Sequence, residues 1–155
     1  MKRTFVLASL LTSLLALAAC GGKSTSPSGP AAAPRPLAPG AWEAMNDRQR
    51  ATFMKETVLP VMAAKLTAFD AEEFGEVTCK TCHGPGAEEG KFEMPSGALP
   101  ELDFANPDPD DAAINEFMAK EVKPTMAMLL GQTEYSPENP KGFGCLHCHT
   151  MKTGE

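Results

Sequence analysis

The chain has 155 residues, 13 glycines, 14 prolines, 6% aromatic side chains and a formal net charge of −6. That length allows one compact domain of roughly 100 to 120 residues beside a tether, with a core that side chains alone fill poorly. The acidity excludes a nucleic-acid partner and suits a soluble surface or docking against a basic face on another protein.

At the N-terminus, Lys2 and Arg3 precede the apolar stretch Thr4 to Leu17. This stretch is too short to span a membrane comfortably, so residues 1–19 read as a secretion leader. Its removal takes two positive charges and leaves a net charge of about −8. Leu17-Ala18-Ala19-Cys20 resembles the lipobox of bacterial lipoproteins, whose cysteine receives a diacylglycerol and becomes the new N-terminus. The resemblance implies lipidation at Cys20 and anchoring on the periplasmic side of a bacterial membrane; ordinary A-x-A cleavage is the alternative. Gly21, in place of the aspartate that resembles an inner-membrane retention signal, points to the outer membrane. Residues 20–42 are rich in Gly, Ser, Pro and Ala without hydrophobic period and read as a tether. Its prolines favour extended chain, with a reach of up to roughly 60 Å at about 3.1 Å per residue.

The domain proper is expected over residues 43–155, in two units at about 47–90 and 110–155. In the first unit, Phe53, Met54, Val58, Val61, Met62, Leu66 and Phe69 recur at helical spacing after Asn46 and Asp47. Cys79-Lys80-Thr81-Cys82-His83 follows. The stretch from Gly84 to Pro109, broken by glycines and prolines, reads as irregular crossing chain without chemistry of its own. Acidic residues from Asp103 to Asp111 read as a solvated turn and helix cap, with a calcium site as the alternative. The second helix carries Ile114, Phe117, Met118, Val122, Met126, Leu129 and Leu130 on one face, with Asp110 or Asp111 as N-cap and Gly131 as its stop. Cys145-Leu146-His147-Cys148-His149 closes the second unit.

The two helices repeat each other. Phe53-Met54 to Met62-Ala63 and Phe117-Met118 to Met126-Ala127 both read F-M-x-x-x-V-x-P-x-M-A, each ahead of its own C-x-x-C-H. Pro60 and Pro124 fall at equivalent points and are expected to bend the helix or free a carbonyl one turn upstream.

Once Cys20 is assigned to lipid, the other four cysteines fall into two C-x-x-C-H groups, the pattern of c-type haem attachment. Two thiols one tight turn apart can add to the two vinyl groups of one porphyrin, and the adjoining histidine lies beside the iron as its proximal ligand. Three other readings fit less well. A four-cysteine zinc site needs closer pairs and no histidines. A redox dithiol at the C-terminus lacks a surrounding strand-helix pattern, and two plain disulfides of a secreted domain are a further alternative.

Helix, turn and C-x-x-C-H, with a helix methionine ahead of the motif, resembles the repeating unit of the tetrahaem cytochrome subunit of photosynthetic reaction centres. The likeness covers roughly residues 48–150 and differs in having two units rather than four. It implies an all-α fold of two tandem helix-turn-CxxCH units binding two haem c groups. Cys79, Cys82, Cys145 and Cys148 would attach them, with His83 and Met62 as axial ligands of the first and His149 and Met126 of the second. Other methionines compete for the sixth positions. Met94, in Met94-Pro95, is the runner-up for the first haem, with Met54, Met118 and Met128 behind it; His147 is expected to face solvent.

The expected role is electron transfer with other redox proteins as partners, not catalysis. The alternative is a small haem enzyme or gas sensor with one open iron, although no further histidine and no arginine after Arg50 offers a distal group. Without haem, the helices are expected to have little to bury against and to be largely unfolded.

Overall fold

The computed structural model describes residues 34–153. The leader, Cys20 and most of the tether therefore lie outside the described residues. Within them the regular structure is helical, and extended pairing is limited to isolated bridges such as Leu102 with Met151 and Glu134 with Phe143. No helix among the described residues is long and apolar enough to cross a membrane.

A short helix α1 (Ala41–Ala44) leads into α2 (Asp47–Phe53). Asn46 starts α2 with reciprocal capping: its side chain accepts from the Gln49 N–H at 3.0 Å, and the Gln49 side chain accepts from the Asn46 N–H at 3.0 Å. The helix continues through a π-helical segment, Met54–Val58, into α3 (Leu59–Phe69). The second repeat does the same: α5 (Ala112–Phe117), a π-helical segment Met118–Val122, then α6 (Lys123–Leu129).

The prolines explain the wide turns. Pro60 has no N–H to give Glu56, and its ring crowds that carbonyl. Instead of breaking, the helix widens just before the proline, so that the Leu59 N–H bonds Met54 O; Lys123 N–H bonds Met118 O in the second copy. The flanking residues keep right-handed helical angles. The expected interruption is thus a one-turn change of period.

Other boundaries follow local chemistry. Asp108, rather than Asp110 or Asp111, supplies the capping oxygen of the second helix by accepting from the Asp110 N–H at 2.9 Å. Pro109 starts a 3₁₀ turn there, moving the helix start upstream. Gly131 is the stop, as expected: at φ 66 it lets Gln132 N–H reach Ala127 O and Gly131 N–H reach Met128 O, a Schellman ending. Leu37, assigned to the tether by sequence, donates its N–H to Leu129 O at 2.9 Å. The last residues of that segment therefore pack on the body.

The repeats face each other reciprocally. Met54–Val58 touches α6, and Met118–Val122 touches α3, as a pseudo-two-fold relation requires. Val58, Met62, Leu66 and the fully buried Leu129 form the seam. Phe69 and Phe117 stack across it at 4.3 Å, and Lys65 pairs with Glu121 at 2.7 Å. A second cluster of Ala127, Leu130 and Phe143 takes Trp42 and Cys148 against its edge. The helices thus bury their apolar stripes on each other, a partner that the sequence did not reveal.

Candidate functional site

The first motif is one helical turn, α4 (Cys79–His83). Thr78 opens it, its N–H donating to Thr81 Oγ1 at 3.0 Å while its carbonyl accepts from the Thr81 N–H. Cys79 and Cys82, three residues apart, share one face of that turn. Gly84 ends it at φ 75, and a side chain there would meet Ala98 Cβ at 2.5 Å, so glycine is required both by the turn and by the close approach.

His83 lies half-buried with the Phe92 ring edge-on at 5.4 Å. Its Nδ1 is buried and has no hydrogen-bond partner among the described residues. Burial pushes its pKa below the usual histidine value. Burial also pushes the Cys82 thiol up, with a smaller push from the charge of Cys79.

The second motif begins as a 3₁₀ turn over Cys145–His147. Cys148 and His149 both donate their N–H groups to Cys145 O, at 3.1 and 2.9 Å. His147 is exposed, as expected, and its Nδ1 accepts from the Gly144 N–H at 3.1 Å. His149 Nδ1 lies 2.9 Å from Pro100 O. A carbonyl only accepts, so Nδ1 is the donor of this bond, and in the neutral ring Nε2 then carries the lone pair. Burial, then the charges of Cys82 and Cys145, push the Cys148 thiol up to about 11.

The influence of Cys82 on Cys148 reflects how the motifs meet. The crossing chain after the first motif runs along the second: Ser96 N–H donates to Cys148 O at 2.9 Å, Leu102 N–H to Thr150 O at 2.9 Å, and Lys152 N–H to Leu102 O at 3.0 Å. Gly84 packs on Ala98 in the same stretch. This segment, given no chemistry by the sequence, holds both motifs; the short apolar run Ala98-Leu99-Pro100 with Leu102 was its one available signal. Further along, Asp103 accepts from the Ala105 and Asn106 N–H groups, the turn role expected of that acidic stretch.

The two helix methionines sit differently relative to their motifs: Met126 shares a cluster with Cys148, whereas no residue of Cys79–His83 is among those packed on the cluster of Met62. Met62, 4% exposed, packs in the seam that Phe74 and Val77 cover just ahead of Cys79. Met126 is half-buried and touches the cluster against which Cys148 packs. Met94 is half-buried two residues from the Phe92 ring on His83. Met54 and Met118 pack beside the seam, and Met128 is exposed.

Among the described residues no group of three or more His, Cys, Asp or Glu side chains converges to hold a metal. All four motif cysteines are free thiols. Large apolar side chains stand exposed at both motifs, Phe92 at 43%, Leu146 at 45% and Met151 at 54%, as they also do elsewhere at Phe104 and Tyr135. No family model, curated protein or solved structure matches the chain.

Proposed function

We propose that the chain is a dihaem c-type cytochrome that carries electrons rather than catalysing a reaction. The observation that carries this reading is His149, which follows two motif thiols and directs Nδ1–H to a backbone carbonyl, leaving Nε2 available as a ligand donor. Cys79 and Cys82, and likewise Cys145 and Cys148, present paired thiols for covalent attachment, and Met62 and Met126 are the favoured sixth ligands. Bound haem would supply a ferric/ferrous couple, which donation from a methionine thioether would shift toward the ferrous form.

The protein's own part is to orient the imidazoles, exclude water from His83 and keep the two motifs side by side along the Ser96–Leu102 chain. The leader and Cys20 support anchoring by lipid on the periplasmic side of a bacterial membrane, the outer membrane favoured. The acidic surface suits redox partners with a basic docking face, and a tether raises their effective concentration.

Near-infrared magnetic circular dichroism of the holoprotein tests the ligand set. Met62→Ala and Met126→Ala should each remove half of the methionine-to-iron signal, and the reduced wild type should respond weakly to carbon monoxide. Strong carbon monoxide binding by the wild type would mean an open iron and a catalytic or sensory role.

A further inference from the structure

Resting on that reading, we propose that Pro124, and Pro60 in the first copy, are positioning residues for the sixth ligands: each holds a wide turn open, and that turn sets the direction in which Met126 or Met62 leaves its helix. The repeat keeps Met118, Val122 and Met126 in one copy and Met54, Val58 and Met62 in the other at steps of four residues, and one more step reaches Leu130 and Leu66. In an unbroken α-helix such a stripe winds by about 40° at each step, or roughly 120° from Met118 to Leu130. It would leave any single face. The π turn adds one residue to the ladder, with Lys123 N–H on Met118 O and Leu59 N–H on Met54 O. That residue removes about 100° of the winding, so the four side chains stay within roughly 20° of one line.

The packing follows this line. Met54, Val58, Met62 and Leu66 all lie in the first apolar cluster, as do Met118, Val122 and Met126. Met126 and Leu130 also meet in the second cluster, which Cys148 borders. Proline keeps the turn wide because it has no N–H with which to close an α-helical bond to the carbonyl four residues back, that of Lys120 or Glu56. Without the wide turn, each seat beyond it would pass to the preceding residue. Thr125 would stand where Met126 stands, and Val61 where Met62 stands. Neither is a haem-iron ligand.

Two contacts oppose such a rotation in the second copy. Leu37 N–H holds Leu129 O at the end of α6, and Met126 would have to enter the small buried seat of Ala127. The other buried seats are indifferent to it, since Met128 would replace Leu129 and Leu129 would replace Leu130, exchanges that keep volume. The first half of the helix is fixed by Phe117 stacked on Phe69 at 4.3 Å and by Met118 and Val122 in the seam. The change of phase therefore passes to α6.

The test shifts the methionine and the helix phase separately in the haem-loaded protein, reading the methionine-to-iron signal by near-infrared magnetic circular dichroism and haem content by intact mass. Pro124→Ala should lose half of the signal and keep two haems. Thr125→Met with Met126→Thr, leaving Pro124 in place, should lose the same half. All three substitutions together should restore it, because the shifted methionine then meets the shifted helix; a proline that only stiffens the chain predicts no such reversal. Full signal in Pro124→Ala, no recovery in the triple variant, or no methionine signal in the wild type overturns the proposal and leaves the dihaem reading intact. Should the Pro124 variants fail to load haem, the equivalent set at Pro60, Val61 and Met62 decides by the same criteria. Absence of covalent haem from the wild type overturns both.

Discussion

Met54–Val58 and Met118–Val122 form the same π turn before the same proline, yet the histidines that follow them have different surroundings. His149 is fastened to the crossing chain through Pro100, whereas His83 is buried beside Phe92 with Nδ1 unpaired among the described residues. The repeat therefore specifies the helices, and the non-repeated chain between them specifies the setting of each motif. A duplicated unit acquires two different sites when one connecting segment serves both.

The largest expected contrast lies in the helix methionines. Met62 is almost fully buried in the seam, so Met62→Ala should cost about 2 to 5 kcal/mol in denaturant unfolding of the holoprotein. Met126 is half-buried, and Met126→Ala should cost roughly 1 to 2 kcal/mol beyond any loss of ligation. Equal losses would mean that the two halves are packed alike.

Glycine provides a finer contrast. Gly90 and Gly131 both have positive φ, but a side chain at Gly90 meets nothing within 4 Å, whereas one at Gly131 meets Leu37 O at 2.5 Å. Gly90→Ala should lower stability by about 1 kcal/mol through conformation alone. Gly131→Ala should lower it by about 2 kcal/mol and speed exchange of the Leu129-bonded Leu37 amide. Identical effects would show that the Leu37 segment contributes nothing to the second half.

The smallest effect is expected at the ion pair across the seam. Lys65 and Glu121 are partly exposed, so Lys65→Ala should change stability by less than about 1 kcal/mol, and less still at high salt. A loss above about 2 kcal/mol would make this pair, rather than the apolar seam, what joins the repeats.

Much of this was legible because it is local. Apolar period places both helices, Gly131 marks an end, and cysteine spacing marks both motifs. Pro60 and Pro124 were legible as trouble but not as π turns, because the lost hydrogen bond is a local fact and its absorption depends on the facing helix. Asp108 is hidden as a cap because Pro109 after it starts a 3₁₀ turn upstream of the apolar period. The Pro100 contact left almost no trace, since every residue offers a carbonyl and only the path of the chain brings this one to His149. Ser96 was hidden for the same reason: its backbone N–H makes the bond to Cys148.

The central claim is that both motifs carry covalent haem. Intact-mass measurement of the exported holoprotein, made under denaturing conditions that strip loosely held groups, tests it most directly. Two haems retained per chain is the predicted result. A chain at its bare polypeptide mass, apart from lipid, would contradict the account.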